Sequence, residues 1–569
     1  MTPHTGRRHV RTLVALGSAL LLAVGLSAPA TTTAPAAGAA PTYFSEDGKQ
    51  TTDFGDGSDY GTAVAVQGDG KTLVLGTVEG GNDQDMGLAR YNNDGSLDDT
   101  FGGGGTHRID VGGDDQGIAV ALQADGKIVV TGVSGNGNLV LARYTTNGQP
   151  DGSFGGGGIN VFDYQGPSAS GNGVLIQADG KIVVGGTLEP SAGARLEYMV
   201  ARFTSDGDQD FSFGDGGKQV TDMGGFGNSL ALQSDGKIVV VGSTGSKSFG
   251  VVRYTAEGAI DSTFSGDGIQ TTDFGEGDDR AAAVAIQSDG RIVVAGTAAV
   301  LGLTRGFAVA RYDTDGTLDN TFSGDGVQVT GSDSTGGLIG NALTIQADSK
   351  IVVAGGTSRA GVFDFALARY NTVGALDNTF SGDGLQTTAF ESFAMGYGAA
   401  ISPSGKTTVA GSTSGNDFDF AVARYNPDGS LDARPEDPPP TTDPDPAPAS
   451  SRACTITGTA RGEVIHGTSG RDVICARGGA DTVYGHGGDD LVFGHRGNDR
   501  LIGGTGNDRL HGARGRDKVV GGSGKDLLRG GLHGDRLDTR DRVRGNDSAY
   551  GGYGNDSCKT DRRDLRRAC

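Results

Sequence analysis

The chain has no tryptophan among its 569 residues and only four cysteines, Cys454, Cys475, Cys558 and Cys569, all in the last fifth. Beyond the first thirty residues it has no apolar run long enough to span a bilayer, which excludes helical membrane spans there. The missing tryptophan, set beside 104 glycines, excludes a core rich in large side chains and points to many turns between short elements. Positive charge is scarce before Arg452, with 26 Lys and Arg against 53 Asp and Glu. Such an acidic body lacks the electrostatic footprint of a nucleic-acid binder. From Arg452 onward the balance is 21 against 16, a basic tail that reads as solvated surface, with contact to an anionic wall polymer as the alternative. Neither HExxH nor GxSxG occurs, so the zinc-protease and nucleophile-elbow signatures are absent.

What is present begins with a targeting segment at residues 1–30. "MTPHTGRRHVR" is a basic stretch, "TLVALGSALLLAVGL" an apolar one, and "SAPA" ends in a small-residue cleavage site at Ala30; cleavage as late as residue 40 also fits. Arg7-Arg8 suits twin-arginine export as well as the general secretory route. Four cysteines, an even number, suit the oxidising compartment that such a segment leads to. The expectation is an exported monomer, secreted to the extracellular space.

Residues 41–433 say one phrase seven times. "VAVQGDGKTLVLG" at Val64 returns as "VALQADGKIVVTG", "VLIQADGKIVVGG", "LALQSDGKIVVVG", "VAIQSDGRIVVAG", "LTIQADSKIVVAG" and a worn "AAISPSGKTTVAG" at Ala399. Each copy is followed by Arg-Tyr or Arg-Phe, from Arg90-Tyr91 to Arg424-Tyr425. Within a unit, "AVAIQ" and "KIVVAG" flank a turn of the Ser-Asp-Gly kind, a hairpin signal, and "FAVARY" and "IQTTDF" supply two further strands. Four strands in roughly 55 residues is the size of a propeller blade, so the expectation is a seven-bladed β-propeller. These phrases resemble the delta-60 repeat of bacterial secreted proteins, whose units are taken to form β-propellers; the resemblance spans about Pro41 to Asp432.

One detail bears on closure. The segment linking units reads "DGTLDNTFSGDG" (Asp315 to Gly326), yet the first copy opens on its second half, "YFSEDG", and the last ends on its first half, "DGSLD". A linker divided between the two ends predicts a ring whose ends meet, rather than an open solenoid with exposed strand edges.

Chemistry in the ring is sparse. His107 breaks the repeat, and the insertion "LEPSAGARLEYM" brings Glu189, Arg195 and Glu197. Glu189 and Glu197 could form the carboxylate pair of a glycoside hydrolase, the basis of an alternative reading as a secreted hydrolase or lyase with its site in the channel; an exposed hairpin tip is the reading taken here. The loops "DTDGTLD" (Asp313 to Asp319) offer carboxylates to calcium but lack a full EF-hand ligand run, so Asx-turns are expected.

Residues 434–453 are a Pro-rich acidic spacer. Beyond it, in 454–569, the period becomes nine. Gly458, Gly467, Gly485, Gly494, Gly503, Gly512, Gly521 and Gly530 hold the register, with Ala476 in the one gap. The sixth place is Asp472, Asp481, Asp490, Asp499, Asp508, Asp517 and Asp526, joined by Asp535, and the eighth place is Ile, Val or Leu. This pattern resembles the RTX, or haemolysin-type, calcium repeat. The resemblance implies a parallel β-roll with two nonapeptides per coil, in which those eight aspartates bind Ca2+. The all-β reading is therefore a propeller followed by a roll. A hard cation wanting six to eight oxygens suits such an array, and with so thin a core, binding should be coupled to folding. Arg477, Arg496, Arg514 and Arg516 depart from acidic loops and make a metal-free Arg–Asp ladder the competing reading. Cys454 with Cys475, and Cys558 with Cys569, bracket the two ends and are expected to pair as caps. The propeller is read as a non-enzymatic binding module for a glycan, cell-wall polymer or protein.

Overall fold

The computed structural model describes residues 43–433 and 454–567, except 46, 56, 81–82, 276, 300–304, 332–336, 360–361, 391–392, 416, 460, 533, 542–546, 554–556 and 562–563. The expected targeting segment and spacer lie outside the described residues. The chain divides into two compact units, one ending at Pro438 and the other starting at Pro439. Every described element is a strand, and no helix among the described residues is long and apolar enough to cross a membrane.

The first unit is a seven-bladed propeller. Its first blade runs Tyr60–Val66, Thr72–Gly80, Asp83–Tyr91 and Thr106–Ile109, an antiparallel sheet in sequence order. Five more blades repeat that order. The seventh takes three strands from the end of the unit, Ala394–Ile401, Thr407–Ser414 and Phe418–Tyr425, and its outer strand, Lys49–Thr52, from the beginning. The ring therefore closes as the divided linker predicts. The halves rejoin where the Phe44 amide donates to the Asp432 carbonyl at 2.9 Å. The structure also shifts the phase of the repeat. The "DGTLDNTFSGDG" segment lies inside a blade, between its third and outer strands, because Tyr312 ends one and Val327 begins the other.

Two features explain why the phrase recurs. In every blade the arginine of the "ARY" signature reaches eight residues on to the aspartate of "SLD". Examples are Arg90 Nε to Asp98 at 2.7 Å, Arg311 to Asp319 at 2.6 Å and Arg424 to Asp432 at 2.6 Å. The same guanidinium stacks on the phenylalanine of "TF", 4.5–4.8 Å from its centroid, and Phe44 supplies that ring for Arg424 across the closure. It then donates to a carbonyl in the following blade, as Arg311 does to Thr372 at 2.7 Å. Tyrosine hydroxyls meet threonines of the preceding blade, Tyr312 with Thr272 at 2.6 Å and Tyr91 with Thr52 at 2.7 Å. Where threonine is replaced by Ile109, Tyr144 packs instead on the His107 ring at 5.2 Å.

A bulge interrupts the first strand of each blade, for instance between Gly61 and Ala63. The residue it releases stitches some blades together: Asn172 to the Gly227 carbonyl at 2.7 Å and Asn341 to that of Gly396 at 2.8 Å.

The second unit is a parallel β-roll. Its two sheets hold alternate nonapeptides, and up to Asp538 each strand pairs with the one 18 residues on, as Val492 does with Leu510 and Leu501 with Val519; beyond it the offset changes, as for Leu528 with Ala549. The core is two facing files of eighth-place residues, Ile474, Val492, Leu510 and Leu528 from one sheet, continued by Ala549, and Val483, Leu501, Val519 and Leu537 from the other. So thin a core agrees with the sequence expectation and leaves the sixth-place aspartates to decide stability.

Candidate metal centre

The nine-residue period puts each sixth-place aspartate at the end of a turn, just before its strand. Pairing at an 18-residue offset then stacks Asp472, Asp490, Asp508 and Asp526 along one edge and Asp481, Asp499, Asp517 and Asp535 along the other. Along each edge one carboxylate oxygen is used internally. The amide of Asp490 donates to Oδ1 of Asp508 at 2.9 Å, that of Asp499 to Asp517 at 2.7 Å and that of Asp508 to Asp526 at 2.9 Å. The other oxygen is not. Oδ2 of Asp481, Asp490, Asp499, Asp508, Asp526 and Asp547 is buried and accepts no hydrogen bond. None of these six is paired with an arginine among the described residues, so the Arg–Asp ladder has no support at these positions. A buried charged acceptor left without a partner costs more than a typical hydrogen bond contributes.

The first-place glycines make room for those oxygens. A Cβ added at Gly485, Gly503 or Gly521 would collide with Oδ2 of Asp490, Asp508 or Asp526 respectively. Glycine here provides space, whereas at the fourth place it provides a left-handed backbone, as at Gly497 with φ 140°. The second place is also left-handed, yet Arg477, His486, His495 and Ala513 occupy it at φ 71–78°.

Electrostatics follows from the unused oxygens. Burial, offset by an amide bond and augmented by stacked neighbours, pushes Asp499 up to about 7 and Asp508 to about 6. Burial likewise pushes Asp526 to about 7 and Asp547 to about 6. Asp481 and Asp490 are raised from the same leading cause. These are carboxylates short of positive charge, stacked at glycine-rich turns whose ligand atoms are all hard oxygens: the donor set fits a calcium ion.

Asp472 differs. Its Oδ2 accepts the Thr468 amide at 2.6 Å and hydroxyl at 2.9 Å, so the first rung is satisfied by protein. Asp547 was not among the eight read from the sequence, because a three-residue insertion breaks the frame; its Oδ1 accepts the Asp526 amide at 2.8 Å. The signal that finds it is "GND" at Gly545-Asn546-Asp547, the same words as at Gly497 and Gly506. The fifth place was also missed as a structural ladder. Asp489, Asn498 and Asn507 each accept the amide of the fifth-place residue one coil on, at 2.7–2.8 Å.

Cys454 and Cys475 form a disulfide with Cα atoms 5.9 Å apart, at the start of the roll. Cys558 is disulfide-bonded as well, while Cys569 lies outside the described residues. In the propeller, Glu189 ends one strand and Glu197 begins the next. The Glu189 carboxylate accepts the Gly193 amide at 2.8 Å, closing the hairpin tip. The Asp313–Asp319 loop is an Asx-turn: Asp315 accepts the Thr317 amide at 3.0 Å and Asp319 is held by Arg311.

Comparison with known proteins agrees with this geometry. Seven segments (67–101, 123–154, 177–213, 233–264, 287–322, 346–380 and 402–434) match the family model described as "Domain of unknown function (DUF5122) beta-propeller". Segments spanning 457–537, together with 544–561, match the RTX calcium-binding nonapeptide repeat. The chain is thus a β-propeller protein of that repeat family carrying RTX calcium-binding repeats at its C-terminal end. No curated protein matches it. Among solved structures, it is similar to an inactive virginiamycin B lyase from Staphylococcus aureus (14% identity, 66% of this chain and 98% of that one, TM-score 0.39). It is also similar to Sqt1 from Chaetomium thermophilum (9% identity, 68% and 98%, TM-score 0.37). A third is an ulvan lyase of polysaccharide lyase family 25 (12% identity, 68% and 98%, TM-score 0.38).

Proposed function

We propose that this is a secreted protein whose roll folds on binding Ca2+ outside the cell and whose propeller is a non-enzymatic binding or adhesion module. The ions are held by Asp481, Asp490, Asp499, Asp508, Asp517, Asp526 and Asp535, with Asp547 added and Asp472 contributing least. The observation that carries the reading is the orphaned Oδ2, repeated along both edges beside a glycine that leaves space for it. Calcium supplies the positive charge those oxygens lack, and the backbone carbonyls of the glycine-rich turns complete its oxygen shell. Because the unfolded chain presents no such array, binding free energy becomes folding free energy. Extracellular concentrations near millimolar fill even weak sites. The disulfide and the N-terminal targeting segment support export. For the propeller, the arginine-held loops support a rigid display surface for a glycan, wall polymer or protein.

Calorimetry and circular dichroism on the full chain test this. Adding calcium after chelation should release or absorb heat and raise the β signal, and magnesium should substitute poorly because it needs a tighter octahedron. Absence of both heat and spectral change at millimolar calcium would sink the reading. A glycan and cell-wall binding array run with and without calcium tests the propeller.

A further inference from the structure

We infer that the junction between the first and second blades is a separate calcium site, formed by Asp85, Asp110 and Asp115. Antiparallel order brings three places in the chain to one face of the ring. Asp85 sits near the start of a third strand, Asp110 follows the outer strand Thr106–Ile109, and Asp115 precedes the first strand of the next blade, Gln116–Leu122. One carboxylate oxygen from each lies within 4.8 Å of the other two. Oxygen donors alone, gathered this closely, suit a hard divalent cation, and calcium takes such all-protein carboxylate cages more readily than magnesium, which keeps several of its waters.

The second observation is the state of Asp85. It is 7% exposed, and its Oδ1 is sealed from solvent without a hydrogen-bond partner. Arg108 does not complete it. Its Nη1 stands 3.7 Å from Asp85 Oδ2, beyond hydrogen-bond reach, and its Nη2 donates to the carbonyls of Glu79 at 2.6 Å and Phe54 at 3.1 Å. Asp115 is fully buried and fixed by the amides of Val111 at 2.6 Å and Gly135 at 3.0 Å, while Asp110 is exposed and gives an ion its way in. Asp83 and Asp114 flank the group, the latter accepting the Gln84 amide at 3.2 Å.

The ring supplies its own control. The same three repeat positions carry Asp419, Asp53 and Asp59 at the closing junction, also within 4.8 Å. There Asp59 is satisfied by the amides of Phe54 at 2.7 Å and Glu79 at 3.3 Å, and none of the three carboxylates has an orphaned buried oxygen. The next junction back has Asp364, Ala389 and Ala394. Asp364 Oδ1 is also buried without a partner, but one carboxylate alone makes no site, so it is the orphaned oxygen together with the cluster that sets the first junction apart.

Long-wavelength anomalous diffraction from crystals of the whole protein grown with calcium tests the inference. A peak about 2.3–2.6 Å from oxygens of Asp85, Asp110 and Asp115 is expected. Equilibrium dialysis of the full chain should count one ion fewer in Asp85→Asn. The exposed Asp110→Asn should lose the same ion should the buried variant misfold. The spectral response of the roll should be unchanged in both. A map with no peak at this junction overturns the inference, as does an unchanged ion count in Asp110→Asn. The roll is scored separately, so its failure to bind would leave the junction peak intact.

Discussion

Both units repeat an aspartate at a fixed interval and bury it, but they settle its charge in opposite ways. Asp319 of the propeller, 2% exposed, is bound by Arg311, Thr321 and Arg291. Its equivalent Asp261 shows the balance. Burial works to raise it, but bonds from Thr263 and the charge of Arg253 outweigh that and hold it at about 2. Asp499 of the roll, equally buried, has no such cation and rises to about 7. Burial alone therefore does not set the state of a carboxylate; what differs is whether a cation of the chain lies beside it. The propeller carries its counter-charge in its own sequence, and the roll takes its counter-charge from the medium.

The largest test of that contrast is chelation. In hydrogen exchange on the full chain, amides between Val473 and Asp538 should lose protection when calcium is removed, while propeller strands keep theirs. Equal loss in both units would erase the distinction. Next in size is Arg311→Ala, which strands a buried carboxylate and should cost the propeller about 3–5 kcal/mol, unaffected by calcium, read as a fall in its unfolding midpoint. Within the roll, Asp499→Asn should weaken calcium binding at least as much as the about 10–100-fold typical of outer-shell changes. Asp489→Asn should leave affinity near wild type, because that exposed carboxylate caps an amide instead. Titration calorimetry separates the two.

Acidity gives a subtler handle. The roll carboxylates have pKa values raised in the calcium-free fold, so their protonated forms favour folding. That contribution is present below about pH 4 and is lost as pH rises toward 6–7. Calcium must displace those protons. Its apparent affinity should fall below pH 7, and its heat at pH 6 should vary with the ionisation enthalpy of the buffer but not at pH 8. The smallest effect is expected from Ala513→Gly. It relieves a left-handed non-glycine at φ 78° and should stabilise the loaded roll by about 0.5–1 kcal/mol in thermal melts.

Much of this was legible in the sequence because repetition converts spacing directly into geometry. Seven phrases gave seven blades, the divided linker gave the closure, and a nine-residue period put alternate aspartates on opposite edges. What stayed hidden depended on side chains meeting across repeats. That the "ARY" arginine is the partner of the "SLD" aspartate and the "TF" phenylalanine is a fact of packing eight to eleven residues apart. That Thr468 satisfies Asp472 is a local exception that the period itself conceals. Asp547 escaped because an insertion shifted its frame, though its "GND" tripeptide did not change. The blade-junction group escaped because its three aspartates belong to three different repeat positions.

The closing blade bears on how the chain is made. Lys49 pairs with Ala423 and Thr52 with Phe420, so the earliest strand of the propeller finds its partner only after the last has been synthesised. The entropy of so large a loop grows only logarithmically, each doubling adding about 0.6 kcal/mol, so closure is thermodynamically cheap. It is also late, since contacts this distant in sequence form slowly. Until then Lys49–Thr52 has no neighbour and the first blade presents an open flank, an invitation to pair with another copy. A chain emerging N-terminus first therefore passes through a stage in which six blades can be complete while the ring is still open.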